Sequence, residues 1–167
     1  MHIDADLYHA AAFSEQHRRA RPMPLDGPDG LLPAHSSLSR VLGLLGTANL
    51  RLSLFSFETL PGAMSANSLF SAVEKAVDDS GLAFALNDGR VGALVYGWRP
   101  PNADDSWVED RTLARLDWAL GGPFASVDIV DVHAVHRCSS EISDSGDVAA
   151  ALSCSERVRQ VTHFSVA

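Results

Sequence analysis

The sequence predicts an α+β domain, a mostly antiparallel sheet flanked by helices, preceded by a helical extension. Three observations lead there. Helix-like and strand-like segments are interleaved along the chain. Residues 82–97, LAFALNDGRVGALVYG, hold two apolar runs around a polar turn and read as a β-hairpin. That hairpin lies between two strands, each linked to it through a helix. With 167 residues, 46% of them hydrophobic and 20% charged, the chain is long and apolar enough to bury a core.

The elements follow in order. Residues 3–21 form a helix on a thin stripe of Ile3, Leu7, Ala10 and Ala11, so this helix needs a partner surface. Residues 22–33 hold four of the eight prolines and break the chain. A helix follows, capped by Ser36 or Ser37, with Leu38, Val41, Leu42 and Leu45 on one face and Gly46 as its stop. LRLSLFSF (50–57) alternates as a central strand. Leu50, Leu52 and Leu54 share one face and Phe55 and Phe57 the other, so both faces should be covered. After a loop at 59–65, a helix over about 66–79 buries Leu69, Phe70, Val73 and Val77. The hairpin comes next, its turn at Asn87-Asp88-Gly89 chosen for residues that tolerate positive φ.

WRPPNADDSW (98–107) is a polar excursion bracketed by Trp98 and Trp107, which read as anchors pinning a surface loop. Residues 108–120 form a helix with Val108, Leu113, Leu116 and Leu120 inward and Glu109 and Asp110 at its N-terminus. Residues 126–137 are a strand, 147–159 a helix started by Asp147, and VTHFSVA a closing strand. The split βαβ, ferredoxin-like arrangement is the simplest topology that accommodates this order.

Charge and motifs exclude more than they assign. A formal net charge of −8 argues against a nucleic-acid grip, and the one dense basic cluster, His17 to Arg21, reads as a solvated helix end. No apolar run approaches the roughly 20 residues of a membrane span. The acidic start of the chain lacks a secretory pattern, so a cytoplasmic location is expected. Cys138 and Cys154 form no CxxC pair and are expected as buried free thiols. His133, His136 and Cys138 have metal-like spacing on paper, but a strand turns His133 away from the other two, so no metal site is expected. No Gly-x-Ser-x-Gly elbow singles out a nucleophile. Gly92 and Gly97, inside a strand pattern, mark a bulge or a close backbone approach rather than a ligand site.

Three strings carry a resemblance. DGPDGLLPAHSSLSRVL (26–42), LRLSLFSFE (50–58), and VDIVDVHAVHR with SGDVAAALSCSERVR are similar, in order and spacing, to the opening segment, first strand, late strand and last helix of a bacterial GGDEF domain, the diguanylate cyclase fold. Leu32, Pro33, Leu38 and Leu42 match in type, whereas Ala34 and His35 replace the usual Asn-Arg. The resemblance spans about residues 26–167 and implies a nucleotidyl cyclase-like sheet, with residues 1–25 as an N-terminal helix and linker.

Set against that family, the catalytic elements are missing. Two Mg²⁺ ions require carboxylate ligands. The first falls at Ser56, with Glu58 on the same strand face at the position of the second acid. The hairpin tip keeps only Asp88 and lacks the Gly-Gly, and no arginine stands at Val77-Asp78-Asp79-Ser80, where an inhibitory Arg-x-x-Asp belongs. The resemblance therefore implies a non-enzymatic regulatory or protein-interaction module of bacterial signalling, with no catalytic residue, metal or cofactor assigned. Self-association through the 3–13 segment or an exposed hairpin face is the expected partnership. The alternative is a non-cyclising receptor for GTP or cyclic di-GMP, contacted by Arg90 and a cleft above Ser56.

Overall fold

The computed structural model describes residues 35–86, 89–97, 99–121 and 130–158. The 3–21 helix, the proline-rich break, Asn87-Asp88, Trp98 and the closing VTHFSVA segment lie outside the described residues.

Four helices and five strands are described: α1 (His35–Gly46), β1 (Arg51–Thr59), α2 (Ala66–Val77), β2 (Gly81–Ala85), β3 (Val91–Val95), α3 (Asp105–Ala119), β4 (Val130–Cys138), α4 (Ser145–Leu152) and β5 (Glu156–Arg157). The strands form one sheet in the order β2-β3-β1-β4-β5, with every neighbouring pair antiparallel. Helices α2 and α3 carry the chain across from β1 to β2 and from β3 to β4, which is the split βαβ connection anticipated from the element order.

Alternation along β1 sorts the core into two layers. Phe55 and Phe57 pack with Leu69, Phe70 and Val73 of α2 and Leu113 and Leu116 of α3. Leu52 and Leu54 pack on the opposite face with Leu38, Val41, Leu42 and Leu45 of α1 and Val148 and Leu152 of α4. Both faces of the sheet are therefore covered, as the all-apolar alternation requires.

The hairpin closes through Leu86 N–H donating to the Arg90 carbonyl at 2.9 Å. Gly89 takes the left-handed conformation at φ 85°, which a side chain would oppose. Gly92 admits the Phe84 ring directly over its Cα, where a Cβ would collide with it. Here the absent side chain serves packing. Strand β2 is buried along its whole length, and β3 is buried through Leu94.

Four helix boundaries differ from the sequence reading. The described part of α1 begins at His35, so Ser36 and Ser37 lie inside its first turn rather than capping it. Helix α3 starts at Asp105, three residues before the expected 108, because Asp104 is its cap: its carboxylate accepts from the Trp107 N–H at 3.0 Å. Helix α4 is capped by Asp144 rather than Asp147, and it stops at Leu152 rather than 159. Ser153 and Ser155 turn their hydroxyls onto the Ala150 and Leu152 carbonyls, a competition that ends helices, and Glu156-Arg157 pair with β4 instead.

Candidate functional site

The early start of α3 places two acids one helical turn apart, Asp105 and Glu109, over the β1–β4 seam. On β4, residues 130, 132 and 134 face α2 and α3, and the same alternation brings His136 to that face. In register, His136 lies opposite Ser53 of β1. A polar chain results. The His136 Nε2 is 2.6 Å from Glu109 Oε2, and its Nδ1 is 2.8 Å from Ser53 Oγ. The Ser53 hydroxyl also accepts from Arg99 Nη2 at 3.4 Å.

Asp105 is the hub of the charged end. Arg51 grips it with two bonds, Nε–Oδ1 at 3.2 Å and Nη2–Oδ2 at 2.9 Å, in the fork geometry that suits a carboxylate. Arg99 adds a third at 3.2 Å. The Arg51 hydrogen bond, together with the nearby His136 and Arg99, holds the Asp105 carboxyl at about 2, well below the ordinary 3.8, against the opposing effect of burial. Asp105 in turn raises Arg51 further above its usual value.

The atoms Ser53, His136 and Glu109 follow the order of a hydrolytic triad. They do not form one in practice, since Ser53 is 0% exposed in mid-strand and its hydroxyl has no path to a substrate. The chain is better read as satisfied polarity in a seam that would otherwise bury an unpaired imidazole. Outside it, a cleft of about 700 Å³ opens among Arg51, Glu109, His136, Arg137, Cys154 and Arg157. Its charges are of both signs and largely tied to each other. Among the described residues, no three His, Cys, Asp or Glu side chains gather as a metal-binding group.

Of the residues singled out in the sequence, His136 and Glu109 join this polar chain, whereas those weighed against the GGDEF pattern lie elsewhere. Ser56 lies on the opposite face of β1, 2% exposed, between Gly92 and His133 in register. Ser56 itself is thus sealed within the sheet, and the cleft of about 700 Å³ opens on the Ser53 side. Glu58 is exposed near the end of β1 opposite Asp131, which Arg157 neutralises at 3.0 Å. Arg90 follows the hairpin tip, partly buried. His133 and His136 face opposite sides of the sheet, as strand alternation predicts. The thiols are free but not buried, Cys138 being half-buried and Cys154 exposed. Trp107 sits inside α3 and packs against the core, so it anchors a helix rather than closing a loop.

Sequence reasoning missed the Arg51–Asp105 and His136–Glu109 pairs. The available signal was the Asp-Asp-Ser of 104–106, a strong N-cap string. Taking it as the helix start aligns Asp105 with Glu109 on one face.

No family model matches the chain, and no curated protein or solved structure matches it.

Proposed function

We propose that this chain is a non-catalytic interaction module built on a GGDEF-like scaffold. The observation that carries the reading is Ser56. It is uncharged, 2% exposed, and sealed into the leucine layer of the sheet. A neutral hydroxyl there supplies none of the charge that a hard cation demands, and a carboxylate at that depth would carry a heavy desolvation cost. The split βαβ core supports the scaffold half of the proposal.

A surface suited to a protein partner supports the other half. Trp118, on the last turn of α3, is 77% exposed, beside Lys75 of α2. Exposed tryptophan flanked by polar side chains is the composition of an interface anchor.

The test is incubation of the full chain with GTP and Mg²⁺, followed by chromatography, with a parallel thermal-shift series in GTP and cyclic di-GMP. No cyclic di-GMP is expected, and no shift in either nucleotide beyond the one inorganic phosphate gives. Mg²⁺-dependent product would overturn the non-catalytic reading, and a saturable nucleotide shift that inorganic phosphate does not reproduce would replace it with the receptor.

A further inference from the structure

A second cavity lies across Arg51 and Arg99 from the polar chain, and its lining is unusual for this protein. Four arginines, Arg51, Arg99, Arg111 and Arg115, border it, and no carboxylate among the described residues does. The chain as a whole carries a formal net charge of −8, so this concentration of cations runs against its composition. Asp105, outside the lining, is already shared by Arg51 and Arg99.

Arg111 and Arg115 stand one turn apart on α3, where like charges repel. Arg111 lies over the Trp107 ring at 5.3 Å. Arg115 directs Nη1 into buried space with no hydrogen-bond partner among the described residues. A buried, unsatisfied guanidinium N–H is costly, and arginine cannot relieve that cost by losing its proton. The enclosed space is about 20 Å³, room for one water-sized atom, and it is partly open to solvent.

We propose that this cavity binds the terminal oxygens of a phosphate-type oxoanion. One oxygen occupies the enclosed space against Arg115 Nη1, and the remainder sits at the mouth between Arg99 and Arg111. Planar guanidinium groups match such oxygens in geometry as well as charge. The proposal stands apart from the functional reading above, because it uses neither the scaffold resemblance nor Ser56.

Calorimetric titration of the full chain with inorganic phosphate, at constant ionic strength against a chloride baseline, tests it. Methyl phosphate is the second arm. Saturable phosphate binding is expected, weakened about tenfold or more in Arg115→Gln, the loss anticipated for one charge-assisted hydrogen bond. Arg111→Gln, at an exposed position that leaves folding intact, should weaken it in the same direction. Binding of both probes assigns the site to the phosphoryl group of a larger ligand, and binding of phosphate alone assigns it to the free ion. Absence of saturable binding to either probe, or affinity unchanged in both variants, would overturn the proposal.

Discussion

Ser53 and Leu54 are neighbours in β1, both 0% exposed, yet they face opposite halves of the molecule. Leu54 enters an apolar layer rich in leucine between the sheet and helices α1 and α4. Ser53 enters a seam where His136, Glu109, Arg99 and Asp105 satisfy one another. The first layer owes its stability to transfer and close packing. The second owes little net stability to any one of its bonds, and its polar groups must be paired only because they are buried. The difference teaches where this fold tolerates change: the leucine layer resists loss of volume, whereas the seam resists loss of a partner.

The sharpest way to break the comparison is at Leu54. Leu54→Ala removes a fully buried side chain from a tightly packed layer and should cost about 2–5 kcal/mol, read as a lowered denaturation midpoint with unchanged m-value. Gly92→Ala comes next. Its new methyl would meet the Phe84 ring in the same layer, and overpacking of this kind costs about 1–3 kcal/mol. If Gly92→Ala proved neutral in urea unfolding, the layer would be looser than its geometry implies.

The two regions also differed in how far the sequence disclosed them. The leucine layer was readable, because Leu52 and Leu54 alternate against Phe55 and Phe57, and Leu38, Val41, Leu42 and Leu45 repeat at helical spacing. Period and hydrophobicity are local properties. The seam was not readable, because its partners are distant in sequence: Ser53 and His136 are 83 residues apart, and Glu109 is a further strand-to-helix contact from His136. Register and helix phase decide whether such groups meet, and a three-residue error at the start of α3 was enough to hide Asp105. The end of α4 failed for a related reason. Ala149 to Leu152 propagate a helix, but whether Ser153 to Arg157 continue it depends on the exposed edge of β4, which local pattern does not reveal.

The smallest expected effect isolates the seam from the leucine layer through pH. Asp105 has a carboxyl depressed from 3.8 to about 2 in the folded chain. A depressed folded value means that the native state favours the ionised form. The resulting stabilisation is complete above the unfolded value and is lost as pH falls from about 3.8 through about 2. Because the side chain is 33% exposed and its partner Arg51 43%, solvent screening reduces the contribution to on the order of 1 kcal/mol. Asp105→Asn should therefore be destabilised by that amount at neutral pH and should flatten the fall in stability across the acid window. Leu54→Ala should lower the whole stability–pH curve without changing its slope there. Urea midpoints measured stepwise through the window separate the two outcomes. Parallel curves for the wild-type chain and Asp105→Asn would mean that Arg51 and Arg99 hold Asp105 no more tightly in the folded chain than solvent does in the unfolded one.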